Sequence, residues 1–110
     1  VSTLAPDPAH AIAPIPFTIP SSAVLETILV VVAAEPRARV VVRDSEYLRA
    51  EFRSRVLRLV DDVEFVMDLT TSLVHFRAAT RGRRPDLGGN RRRMTQLSAL
   101  LAARLAPTRP

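Results

Sequence analysis

Between Tyr47 and Ala78 apolar and charged residues alternate with a period of two, and this periodicity constrains the fold more than any other feature of the chain. Leu48, Ala50, Phe52, Ser54 and Val56 share one parity, while Tyr47, Arg49, Glu51, Arg53 and Arg55 share the other. Val63, Phe65 and Met67 alternate in the same way with Glu64 and Asp68, and Val74, Phe76 and Ala78 alternate with His75 and Arg77. Successive side chains of a strand point to opposite faces, so each run hides an apolar face and exposes a charged one. An antiparallel sheet covered on one side only has this pattern. Asp68-Leu-Thr-Thr-Ser72 reads as the hairpin connection between the last two runs, and Arg39-Val-Val-Val-Arg-Asp44 as a strand ahead of the first.

What covers the apolar face is legible as two stripes of helical spacing. Val24, Leu25, Ile28, Leu29 and Val32 form the first, with Ser21 or Ser22 as N-cap and Glu35-Pro36 as the stop. The Val30-Val31-Val32 run is β-prone, but it lacks strand alternation. Met94, Leu97, Leu101 and Leu105 form the second, with Leu100 at its edge, Asn90 as N-cap and Pro107 beyond its end. The expected fold class is α+β, an antiparallel sheet of about four or five strands with two helices packed on one face. A chain of 110 residues fits one domain, and 47% hydrophobic residues supply a core without metal or disulfide.

Residues 1–20 stand apart in composition. Pro6, Pro8, Pro14, Pro16 and Pro20 remove backbone donors and fix φ, so this stretch is expected to be an extended arm ahead of a single α+β domain at 21–107. Ile12, Ile15, Phe17 and Ile19 give the arm the means to dock, as an edge strand around Ile12–Phe17.

The formal net charge is +5, and every basic residue is arginine. From Arg77 to Arg93 there are seven arginines against one acid, Asp86, a local charge of +6, so the rest of the chain sums to −1. A near-neutral body with one cationic segment suits an acidic protein, a phosphate or an anionic lipid surface. Nucleic acid is not expected as a partner. Aromatic residues make up only 5% of the chain and none lies among these arginines, so no stacking platform for single strands exists.

Cysteine is absent, which excludes disulfides and thiolate-bound metal within this chain. With His10 and His75 as its only histidines, no metal site is expected. The longest apolar stretch, Ala23 to Ala34, has 12 residues and contains Glu26, too short to cross a bilayer, although peripheral membrane association stays open. No signal peptide is visible, and the start at Val1 leaves open a leader or anchor ahead of it.

Two segments are distinctive beyond their periodicity. One runs from Tyr47-Leu-Arg-Ala-Glu-Phe-Arg-Ser-Arg55 to Val60-Asp-Asp-Val-Glu-Phe65; the other is Phe76-Arg-Ala-Ala-Thr-Arg-Gly-Arg-Arg-Pro-Asp-Leu-Gly-Gly-Asn-Arg-Arg-Arg93. Together they resemble the domain of unknown function 1499 family, whose pattern pairs an Asp-Asp-Val-Glu-Phe strand with Arg-Ser-Ala-Ser-Arg and then Asp-x-Gly-x-Asn-Arg. Asp61, Asp62, Glu64, Phe65, Arg77, Ala79, Arg81, Asp86, Gly88, Asn90, Arg91 and Arg93 carry the match. Ala78 and Thr80 depart from it where the family usually has serines, Arg83 where it often has glycine, and Pro85 where serine is common. The missing hydroxyl at 78 weakens any serine-nucleophile reading. The resemblance implies a bacterial periplasmic or envelope setting, or a thylakoid-lumen one, and no established activity.

The candidate site is therefore the arginine segment. Arg91, Arg92 and Arg93 are expected in the first helical turn, where the macrodipole opposes cations by roughly 0.3–1 kcal/mol each. Either internal carboxylates or an external anion should offset this. Asp61, Asp62, Glu64 and Asp86 are expected as structural counterions, the first three pinning Arg77 and Arg81 across the sheet. Arg77, Arg81, Arg83, Arg84, Gly88, Asn90, Arg91, Arg92 and Arg93 are the expected partner- or anion-binding residues. No Walker pattern is present, and no nucleophile, base and orienter can be assembled, so neither a cofactor nor catalysis is expected. The expected function is a non-catalytic accessory module docking to a larger membrane-associated assembly or acidic protein surface; the alternative is a small anionic-ligand-binding domain.

Overall fold

The computed structural model describes residues 13–53, 59–81 and 89–107, with backbone alone at 89–91. The elements run β1 (Ile15–Pro16), α1 (Ser21–Ala33), β2 (Ala38–Arg43), β3 (Tyr47–Arg53), β4 (Val60–Asp68), β5 (Leu73–Thr80) and α2 (Gly89–Leu105). The five strands form one antiparallel sheet in the order β1-β5-β4-β3-β2. The α+β expectation of a sheet with two helices on one face is met.

The alternation seen in the sequence becomes the two faces of this sheet. Leu48, Ala50, Phe52, Val63, Phe65, Met67, Val74, Phe76 and Ala78 are all buried. They form one cluster with Val24, Leu25, Ile28, Val31 and Val32 of α1 and Met94, Leu97, Leu101 and Leu105 of α2. Phe65 pairs in register with Phe76 across β4 and β5, and their rings tilt together 6.2 Å apart at the centre of the packed face. The β-prone Val30-Val31-Val32 stays helical because Val31 and Val32 complete the buried stripe, while Val30 faces solvent.

The helix starts differ from expectation by a residue. Pro20 is the N-cap of α1, no side chain caps it, and Ser21 and Ser22 already lie within the helix. A proline ring pre-sets φ, and its carbonyl accepts from the Ala23 N–H at 2.9 Å, so the turn closes without a hydroxyl. Helix α2 begins at Gly89, so Asn90 is inside its first turn. Ser54 and Val56, assigned by periodicity to the inward parity of the β3 run, lie outside the described residues, as do residues 1–12 of the arm.

The described part of the arm belongs to the fold. Ile15 pairs with Val74 on β5, and Ile15 and Phe17 are buried in the common core. Pro16 is tolerated because β1 is an edge strand. The arm also closes α2: the Thr18 and Ile19 N–H groups donate to the Leu105 carbonyl at 2.8 and 3.2 Å. That occupies an acceptor a helix C-terminus otherwise leaves unmet. At the same end, the Thr70 and Thr71 N–H groups donate to Asp68 Oδ1, which builds the β4–β5 turn. These bonds, Thr71's first, hold the Asp68 carboxyl below its ordinary value.

The two-face reading is open to a direct comparison. Phe65→Ala should cost about 3–5 kcal/mol of unfolding free energy in urea, as for a fully buried aromatic. Val66→Ala, one residue along on the exposed face, should change it by less than about 0.5 kcal/mol.

Candidate functional site

One end of the sheet gathers the end of β3, the start of β4, the end of β5, the first turn of α2 and the tail of α1. This follows from register: Arg53 pairs with Val60, Asp61 with Thr80, and Ala38 with Phe52. The described arginines here are Arg37, Arg53, Arg81, Arg92 and Arg93.

Asp61 is the buried ionisable residue among the described residues, only 8% exposed. It shares parity with Val63 and Phe65, so it points under the sheet towards α2 and not across the outer face. The expectation that it pins Arg77 or Arg81 is corrected on that ground. Its Oδ2 accepts from Arg93 Nη1 at 2.5 Å, and its Oδ1 accepts from the Thr80 hydroxyl at 2.6 Å. The Arg93 guanidinium also lies over the Phe52 ring, 5.0 Å from its centroid. Arg93 is thus a bracket: one charge-assisted bond and one cation–π contact fix the start of α2 against the sheet. The Asp61 carboxylate is thus engaged on both oxygens, by Arg93 and by Thr80.

Asp62 lies on the outer parity, directly opposite Glu51 in the β3–β4 register. Two carboxylates side by side would repel. Arg81 resolves this by reaching back over both. Its Nε and Nη2 donate to the two Asp62 oxygens at 2.8 and 2.9 Å, and Nη2 also bonds Glu51. The Arg81 hydrogen bond, the largest influence, holds the Asp62 carboxyl below its ordinary 3.8. Asp62 and Glu51 in turn keep Arg81 firmly protonated. This fork ties β5, β4 and β3 together, so Arg81 serves the sheet.

Glu64 faces Arg77 in register on the same outer surface, with Arg49 on its other side. Burial, then the Glu64 charge and hydrogen bond, push the Tyr47 phenol above its ordinary value. Arg77 stands away from the arginine end, with His75, Val66 and Leu69 in a groove of about 660 Å³ on the exposed face. No described group of histidines and carboxylates is arranged to hold a metal ion. Among the described residues no helix is long and apolar enough to cross a membrane.

The remaining site residues divide between the described and the undescribed. Arg92 is exposed in the first turn of α2, which contains no acid. Arg83, Arg84, Asp86 and Gly88 lie outside the described residues, and at Asn90 and Arg91 only the helical backbone is described. Two arginines that the sequence did not single out belong to this end. Arg37 and Arg53 line a cleft of about 350 Å³ with Glu35, Pro36, Phe52, Arg92, Arg93 and Gln96. No spacing relates position 37 to position 92; the sheet topology alone brings them together.

The chain belongs to the family described as protein of unknown function (DUF1499), whose model matches residues 1–101. No curated protein and no solved structure matches it. The family assignment brings no reaction, ligand or partner with it.

The two aspartates should behave differently on substitution. Asp61→Ala leaves Arg93 and the Thr80 hydroxyl without their shared acceptor, and should cost about 1–3 kcal/mol in urea unfolding. Asp62 acts through pH. Its folded carboxyl releases its proton more readily than the unfolded one, so its contribution is full above the ordinary carboxylate range and is lost as pH falls through the lowered value. Asp62→Asn should therefore be less stable than wild type at pH 7. The difference should narrow in unfolding curves taken from pH 5 down to 2.

Proposed function

We propose that this chain is a non-catalytic interaction module that recognises an acidic protein surface with its arginine end. In this reading it docks to a larger membrane-associated assembly, in a bacterial envelope or thylakoid setting. The single observation that carries it is charge left over after internal pairing. Arg81 and Arg93 are engaged by Asp62, Glu51 and Asp61. Arg37 and Arg92 form no ion pair with the described residues, and Arg53 has only the 3.8 Å approach of a Glu51 that Arg81 already holds. The stretch between Arg81 and Arg91 adds Arg83 and Arg84 against Asp86.

Arginine suits the task because its planar fork takes carboxylates bidentately and stays charged at any physiological pH. Cations at the start of α2 are opposed by the helix dipole, and a partner supplying carboxylates relieves that opposition. The described hydroxyl–carboxylate pair, Thr80 and Asp61, is tied to Arg93 and is structural in this reading. Asp61 is engaged on both oxygens, and Thr80 donates to it.

The test begins by isolating from the native source the protein that co-migrates with this chain and measuring the affinity of the purified pair. Affinity should fall steeply as salt rises, since exposed charge pairs are screened over about 8–10 Å at ordinary ionic strength. Replacing Arg83, Arg84 and Arg92 with glutamine should weaken binding by about tenfold or more, with an unchanged circular dichroism spectrum. Equal affinity of this triple variant at low salt would remove these residues from recognition.

A further inference from the structure

We infer that the cleft between the tail of α1, the end of β3 and the first turn of α2 binds a phosphate group, free or as a phosphomonoester. This goes beyond partner docking, and either reading can fail without the other. Among the described residues, four guanidinium groups, of Arg37, Arg53, Arg92 and Arg93, line the cleft with a single carboxylate, Glu35. Asp61 neutralises Arg93 from the core side. Three arginines then stand against one acid, an excess of two positive charges around a space of about 350 Å³. A phosphomonoester carries nearly two negative charges at neutral pH, together with three strong acceptor oxygens. A carboxylate carries half that charge and is satisfied by one arginine fork.

The three arginines come from three different elements, so they approach from different directions. That arrangement suits a tetrahedral oxyanion better than a planar one. The Arg37 guanidinium is held by a side-chain bond, and the backbones of Arg37 and Arg53 are tied together. The Arg37 Nε donates to the Arg53 carbonyl at 3.3 Å, and the Arg53 N–H donates to the Arg37 carbonyl at 3.0 Å. Arg37 is also held in the left-handed backbone region, at φ 62°, where glycine is the unstrained choice. An arginine there accepts a backbone cost and places a guanidinium at the rim of the cleft. Gln96, one turn along α2 from Arg92, adds an amide donor to the lining.

The experiment is a thermal-unfolding series on the full chain with inorganic phosphate, with chloride at matched ionic strength, and with acetate as the carboxylate arm. Phosphate well above its dissociation constant should raise the melting temperature by about 4–8 °C relative to chloride, and acetate should not. Arg37→Gln with Arg53→Gln should abolish the phosphate response. Because that pair could also loosen the fold, Arg37→Gly serves as a second variant. It removes the guanidinium while relieving the backbone, so it should unfold no earlier than wild type in chloride yet lose most of the phosphate shift. An equal rise in phosphate and chloride would overturn the proposal, as would a phosphate response that survives in both variants. Asp86→Asn guards against an internal occupant: a response seen only in that variant would show that Asp86 fills the cleft and would also overturn it. A loop variant at Arg83 and Arg84 alone leaves Arg37, Arg53 and Arg92 in place, so partner affinity and phosphate response can be scored separately.

Discussion

Asp61 is where the packed face of the sheet meets the cationic end, and the placement of α2 rests on it. A buried carboxylate is costly unless its oxygens are occupied. Here Thr80 occupies one and Arg93 the other. The pair ties the first turn of α2 to the start of β4, beside Met94 and Leu97, which are buried in the core. It also draws Arg93 onto the Phe52 ring and leaves its neighbour, Arg92, at the surface. The same contact therefore anchors the fold and decides which arginine remains outside.

The charges follow a division of labour set by strand parity. On the outer face, Arg81 is absorbed by Asp62 and Glu51, and its fork spans three strands. Beneath the sheet, Arg93 is absorbed by Asp61. At this end the fold thus uses Arg81 above the sheet and Arg93 beneath it to close its own acidic positions. Arg37 and Arg92 come from the α1–β2 connection and the start of α2, where the described chain supplies no acid within ion-pairing reach. The excess charge is consequently a property of one end of the molecule, not of one stretch of sequence.

This explains what was legible beforehand. The period-two runs determine the faces of β3, β4 and β5, and the buried residues from Leu48 to Ala78 follow them without exception among those described. The α2 stripe is recovered in full, and the α1 stripe with one exchange, since Val31 is buried where Leu29 is only partly so. Asp61 was assigned by its charge when its parity with Val63 and Phe65 already pointed inward; the alternation held the answer. Arg37 and Arg53 are a different case. Neither lies in a charged run, and their meeting with Arg92 depends on sheet order and on a left-handed turn after Pro36. Helix starts slipped by a residue because Pro20 closes the first turn of α1 with its carbonyl alone, which capping side-chain preferences do not register.

The two ends of the sheet differ in how they are completed, and the proposed docking rests on that difference. Among the described residues each carries one non-glycine residue in the left-handed region, Ser72 at one end and Arg37 at the other. Around Ser72 the local needs are met from within: Asp68 receives two N–H groups, the Leu105 carbonyl receives two more, and Arg104 complements the α2 dipole. Around Arg37 they are not. The first turn of α2 presents arginines without an acid, and the cleft beside it has more cations than the described carboxylates balance. A fold optimised only for stability would place acids or small caps there. Locally unfavourable arrangements that persist while the rest of a structure is well satisfied tend to mark the surface that meets something else. On the proposed reading that surface is the arginine end, where the described arginines outnumber the described acids.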